Sequence, residues 1–513
     1  MTRFNYFLFI SALLLGSVHL LPNIAYSHGF GETYDLPIPL VYYLIGAGMT
    51  VAVSFVAISL FVRHKQLSQN YPSLNLRRYA WFKIIFDNFI TISILKITTV
   101  LLLFLVIITG LFGNQNPLLN ISPTLVWIIW WVGISFTSIL IGNVWAIINP
   151  LKFVFEICEW VYAKLIPGAN LSFNMPFERS VQILPAIVLF LCFAWVENVA
   201  PHSSTPRTIA QMTIIYSAIT LTGMLVFGKY QWLMYGDPFS IFFGLLSRLS
   251  PTEIRVSNQD LCNTCWNCNI QSHCIDCYMC FSQSDNVEIN VRPYTAGLTT
   301  RYGLSTGKTV FILIILSTVT FDGFSETALW STIINHLYAQ FSFLGVHGLV
   351  LADTVGLLMF PIIFIAIFIF SCNIMKIASG NAYSTLRLSQ IFAQTLLAIA
   401  ISYHMAHFLS YLMIQGQLII RLISDPFGYG WDLFGTSDYQ INIGIINARI
   451  AWLTSIGLIV FGHIVAVFVS HLESMRTFSN HRQALISQLP MVFLMITYTV
   501  FSLWIIAQPI TSH

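Results

Sequence analysis

Charge is what this 513-residue sequence lacks. Only 8% of its residues are Asp, Glu, Lys or Arg, against about 25% in an ordinary soluble protein. With 56% hydrophobic residues, the chain has too little polar surface to coat a water-soluble fold. The net charge of +3 carries no nucleic-acid signal, because the positive residues have a topological role. A nucleophile elbow and a Ser-His-Asp pattern are also missing, so covalent acyl-transfer chemistry has no candidate. Cysteine is scarce outside one short loop: six of the nine fall within residues 262–280. That crowding excludes a spread-out extracellular disulfide framework.

What is present is apolar length. A span needs roughly 20 apolar residues to cross a hydrocarbon core of about 30 Å. Such runs fall near 39–62, 89–113, 124–148, 181–200, 208–228, 309–324, 349–375, 388–415, 449–472 and 484–508. The fold class is therefore all-α, a polytopic transmembrane helix bundle of about ten spans. Residues 1–27 read as a signal sequence, with basic Met1-Thr2-Arg3, apolar Phe4 to Leu21, and Ala25-Tyr26-Ser27 before the cleavage point. Removal would leave His28 as the N-terminus. Loops 63–88, 149–180, 229–308, 376–387 and 473–483 carry 18 of the 23 Lys and Arg residues. The opposite segments carry Arg207, Arg421 and Arg449, so the positive-inside rule sets N-out and C-out in a bacterial inner membrane.

Residues 28–228 hold the first five spans, 229–308 a cytoplasmic loop, and 309–513 the last five. An odd number per half makes the halves inverted relative to each other, an arrangement some transporters use. Stretches 151–166 and 231–249 are amphipathic and are expected along the inner surface, as is Ser325 to His347 along the outer. Asp425-Pro426-Phe427-Gly428 reads as a tight turn.

Ionisable groups within spans are functional hypotheses by default. Counting about 1.5 Å per residue from the inner boundary puts His404 and Asp322 roughly 20 Å up, and His407 and Glu197 roughly 24 Å up. Asp353 lies a few ångströms below the outer boundary. His404, His407, Tyr411 and Gln415 share one helix face. Two imidazoles with neighbouring carboxylates suit a divalent metal, zinc before others. His404, His407 and Asp322 would be its ligands, with Asp353 or Glu197 as a further ligand or general base. A bound hydroxide could then attack an electrophile entering from the lipid. The competing reading is structural: each group satisfied by a neighbouring helix or sitting at an interfacial end. His463 lies roughly 10 Å deeper than His404 and His471 near the inner boundary; a haem between His404 and His463 would have to bridge that offset. Lys96 sits low in the second span and can snorkel inward. His28 with His202 could chelate copper.

Cys262, Cys265, Cys268, Cys274, Cys277 and Cys280 form C-x2-C-x2-C-x5-C-x2-C-x2-C, with His273 beside Cys274. Two-residue gaps let paired thiolates converge on a soft metal, and the charge rule puts the loop in a reducing compartment. Zinc and an iron–sulfur centre both remain open, although a C-x2-C-x2-C-x3-C run is absent. A zinc knuckle here would be structural or a docking surface for a protein partner.

Several segments carry a family resemblance. His28-Gly-Phe-Gly-Glu-Thr-Tyr-Asp-Leu-Pro-Ile-Pro, Thr320-Phe-Asp-Gly-Phe, Tyr403-His-Met-Ala-His, Ser424-Asp-Pro-Phe-Gly-Tyr-Gly-Trp-Asp-Leu-Phe-Gly and Gly462-His-Ile-Val-Ala-Val-Phe-Val-Ser-His resemble bacterial polytopic membrane proteins known as fenitrothion hydrolases. The resemblance runs through most of the chain and is densest in the last four spans. It implies hydrolysis of an organophosphorus triester and carries no catalytic residues over; the six-cysteine loop is not part of its pattern. Three functions stand: a metal-dependent membrane hydrolase of a hydrophobic ester, a metal-ion or proton-coupled transporter, and a redox protein with haem or an iron–sulfur centre. The transporter reading requires a polar path toward the cytoplasm through His463 and His471.

Overall fold

The computed structural model describes residues 34–62, 71–86, 88–177, 181, 183–256, 258–265, 274–284, 286–299 and 304–508. The signal sequence, His28, Cys268 and His273 lie outside the described residues.

Every one of the ten apolar runs contains a helix. They are α1 (Leu40–Phe61), α2 (Phe89–Phe112), α3 (Ile121–Leu140), α4 (Leu184–Asn198), α5 (Pro206–Phe227), α6 (Thr306–Ser325), α7 (Val346–Ala378), α8 (Thr385–Gln415), α9 (Ala448–Thr477) and α10 (His481–Ala507). Among the described residues, nine are long and apolar enough to cross a membrane, and α4 is a shorter apolar helix. The chain is thus an all-α, multi-pass membrane bundle. Side-chain caps start the later helices: Ser305 accepts from Lys308 N, Ser384 from Arg387 N, and Asn447 from Ile450 N. Each satisfies a backbone donor that the first turn leaves open.

Burial ranks the helices. Fourteen of the 20 residues of α6 are buried, against three of the 24 in α2. The first is a central post; the second faces lipid. Between helices in a bilayer the apolar surroundings supply no hydrophobic drive, so close packing must hold them. At Gly462 of α9 an added Cβ would stand 2.1 Å from Ser402 Oγ of α8. The two helices meet there because glycine has no side chain. In α3, residues Thr124–Gly133 take the rarer π form. Trp130 and Trp131 of that stretch pack on Phe239 and Phe193, with ring centroids 4.5 and 4.7 Å apart.

Loop contacts agree with the charge assignment. From loop 63–88, β1 (Leu74–Asn75) pairs with β4 (Val287–Val291) of loop 229–308. The antiparallel sheet runs β1-β4-β2-β3, with β2 (Thr252–Val256) and β3 (Cys274–Ile275) completing it. At the other end, Asn114 N donates to Phe427 O and Tyr429 Oη to Phe112 O. Helix Pro150–Leu165 lies on the rim with Trp160 and Leu165 exposed, and its Glu156 takes Lys96 Nζ at 3.0 Å. Lys96 is therefore paired with a side chain of the rim helix.

Stretch 231–249 does not lie on the surface. Its second helix, Pro238–Leu246, buries Phe239, Ile241, Phe242, Phe243, Leu245 and Leu246 inside the bundle. The reason is in its residues: apolar side chains surround this helix instead of lining one face. Asp237, 0% exposed, caps it through Ser240 N at 3.0 Å and accepts from Tyr216 Oη of α5 at 2.7 Å.

A buried ionic clamp ties the sheet to the bundle. Arg292 Nη1 lies 3.3 Å from both Glu253 Oε2 and Asp276 Oδ2. Its Nε and Nη2 donate to the carbonyls of Ser250 and Ser247, each at 3.2 Å. Tyr71 Oη also donates to Glu253.

Candidate metal centres

The sheet positions the cysteines. β3 carries Cys274, while the short helices Gln259–Thr264 and Tyr278–Gln283 present Cys262 and Cys280, with Cys265 and Cys277 at the first helix's end and the second's start. Sγ atoms of Cys265, Cys274, Cys277 and Cys280 all lie within 4.8 Å of one another, and all four residues are buried. A tetrahedral ion with metal–sulfur bonds near 2.3 Å would set its sulfurs about 3.8 Å apart. Cys265 and Cys277 are at 3.7 Å, Cys274 and Cys280 at 3.2 Å. These four residues can hold a metal. Cys274 is disulfide-bonded here, so it would join as a ligand only after reduction. Cys262 is 1% exposed and packs beside the set without belonging to it, its Sγ 3.8 Å from Val256 O.

The Cys265 hydrogen bond lowers the Cys277 pKa, but the Cys280 contact and burial outweigh it and hold the thiol up to about 11. Burial likewise pushes Cys262 up. Basic groups stand close by: Lys308, at the start of α6, is within electrostatic range of Cys265, Cys277 and Arg248. That positive surround favours thiolate once a metal displaces the protons.

At the far end of α6 the polar cluster forms in part. His407 Nε2 and Asp322 Oδ2 are 2.8 Å apart, their side chains 14% and 18% exposed. Asp322 also interacts electrostatically with Glu197, and Tyr411 with both carboxylates. Glu197, Asp322 and His404 line one cavity of about 20 Å³ with Trp131, Phe190 and Phe242, room for about one water. His404 is 2% exposed and its Nε2 has no hydrogen-bond partner among the described residues. Its ring meets Trp131 and Phe242 edge-on at 5.7 and 5.9 Å.

The structure thus brings Glu197, Asp322, His404 and His407 to one place. Among the described residues, however, the cysteine set is the one group of three or more with ligand atoms within 4.8 Å. Asp353 is elsewhere engaged: it accepts from Trp330 Nε1 at 3.1 Å and does not line the cavity. Sequence reasoning missed Trp131 and Phe242, which form the cavity wall. Neither gives a signal in sequence, since an aromatic in an apolar run reads as core.

Together these features define a multi-pass membrane protein with a buried four-cysteine cluster near one end of a central helix and a histidine–carboxylate cluster near the other. No family model, curated protein or solved structure matches the chain.

Proposed function

We propose that this chain is a cation transporter of a bacterial inner membrane, taking up a divalent metal at the outer His/carboxylate cluster and passing it toward the thiolates. One observation carries this reading. His404, whose buried Nε2 has no partner among the described residues, lines an ion-sized cavity with Glu197 and Asp322, and the partly buried His407 pairs with Asp322 at its edge. A buried imidazole nitrogen without a partner among the described residues is costly in a membrane interior, and a cation entering the cavity would meet His404, Glu197 and Asp322, whose side chains must close in to ligate it together. The cysteine spacing suits one tetrahedral ion as an inner acceptor better than a multi-iron cluster, whose own volume would force its ligands apart.

Triester hydrolysis, favoured by the sequence resemblance, would use the same ligands but needs an open metal position and room for the ester. A cavity of about 20 Å³ gives that room to a water alone.

Liposomes containing the full chain and a trapped zinc indicator test the reading. Wild type should accumulate Zn²⁺, and His404→Ala/His407→Ala should lose uptake while still inserting. Uptake that persists in the double variant would overturn it. Failure to transport, joined to hydrolysis of a phosphotriester that the same substitutions abolish, would put the hydrolase in its place.

A further inference from the structure

In a bilayer interior a buried polar atom without a partner is expensive, so a row of them demands a common explanation. Such a row runs down the interface of α8, α9 and α10. Tyr403 Oη, His463 Nε2, Ser470 Oγ, Thr477 Oγ1 and Gln488 Oε1 are all buried without hydrogen-bond partners among the described residues. Tyr403 and His463 are 1% exposed, Ser470 and Gln488 0%. Their placement is regular. His463, Ser470 and Thr477 recur every seventh residue and therefore share one face of α9.

The row begins at the outer cluster. Tyr403 stacks on His407 with centroids 6.1 Å apart and interacts electrostatically with Asp322. Its hydroxyl occupies the space a side chain at Gly323 would fill, 2.6 Å from the position of an added Cβ. Tyr498 of α10 is the next group, its ring 6.4 Å from Tyr403 and 5.9 Å from His463, its hydroxyl 2.5 Å from Thr320 Oγ1.

Two imidazoles continue it, and their tautomers are fixed by their carbonyl partners. His463 Nδ1 sits 2.8 Å from Ile459 O, so Nδ1 carries the hydrogen and Nε2 is a bare acceptor. His471 Nε2 sits 2.9 Å from Val62 O, so there Nδ1 is the acceptor, facing Gln488 Nε2 at 3.3 Å. Beyond His471, Glu473 and Arg476 pair at 2.9 Å near the inner end of α9. Between the two halves of the row the same face of α10 carries Met491 and Met495, both 0% exposed. Their flexible thioethers can yield to a short file of water.

We propose that this row is a proton path, running from Tyr498 through His463, Ser470 and His471 to Glu473, with Gln488 orienting the water that links them and Met491 and Met495 as its closure. His463 takes a proton at Nε2 from the Tyr498 side and, once its ring has swung away from the Ile459 carbonyl toward Ser470, releases it there from the same atom. The path rests on the transport reading for its purpose, a counter-flow of protons against the metal, and not for its geometry.

Liposomes carrying the full chain, a trapped pH-sensitive dye and an imposed potassium diffusion potential read the flux directly. Wild type should acidify the interior, and His463→Gln, eluting as a folded protein, should reduce the rate on the order of tenfold or more. Ser470→Ala, a change too small to threaten folding, should lower it as well. Equal flux in wild type and both variants would overturn the path. Zinc uptake in the same vesicles separates the two ideas. Zinc entry without proton movement removes the path and leaves the transporter standing; absence of both removes both.

Discussion

Cys265→Ser/Cys277→Ser should strip the bound metal from the purified protein. Wild type kept in reductant is expected to hold about one ion per chain at this site, in the manner of a closed four-thiolate centre. The double variant takes away the pair whose 3.7 Å separation fits a tetrahedral edge. It leaves Cys274 and Cys280, too few to close a site. Elemental analysis on detergent-purified protein reads the difference, and the visible spectrum names the metal: zinc is colourless, while iron–thiolate absorption would replace transport with the redox reading. Undiminished metal in the double variant would overturn the assignment. Two conditions sharpen the test. Occupancy should rise with reductant, which frees the Cys274 thiol. Affinity should fall as pH falls, because the metal must displace protons from the thiols, the Cys277 thiol among them held up to about 11.

Arg292→Met should destabilise the cysteine-bearing sheet by about 3–5 kcal/mol. The guanidinium is fully enclosed and supplies four contacts, to Glu253, Asp276, Ser250 and Ser247. Removing it leaves the Glu253 carboxylate buried with Arg255 as its remaining cationic partner, through Nη2 at 2.8 Å. The loss is mostly the weakened pairing of the buried Glu253 and of Asp276, so Arg292→Met/Glu253→Leu should recover part of it. A thiol-reactive fluorophore followed on heating reports the exposure of Cys265, Cys277 and Cys280, all buried in the fold. An unfolding temperature equal to wild type in the single variant would show that the clamp contributes nothing.

The spans were legible because apolar length is a direct physical requirement of crossing a bilayer; charge bias then sorted the loops. Residues 231–249 were not legible. A helix such as Pro238–Leu246, apolar on every side, can be recognised as interior only once the helices around it are known. His404, His407, Asp322 and Glu197 were found from matched depth, because neighbouring helices that share a boundary share a scale. Asp353 shows the limit of that argument. Depth fixes height but not azimuth, and the Trp330 indole claims this carboxylate. The thiol cluster came from spacing alone, but which four residues close it depends on the sheet, which holds Cys274 against the helix bearing Cys280.

Helix α6 has a mechanical consequence. Its 20 residues span about 30 Å, with Lys308 beside the thiols at one end and Asp322 beside His407 at the other. No proline interrupts it, and no glycine falls between Thr309 and Asp322. Fourteen of its residues are buried, so its neighbours confine it like a sleeve. A rod held this way sets the distance between its two ends, so the thiol cluster and the His407–Asp322 pair are spaced by one continuous helix and not by a loop.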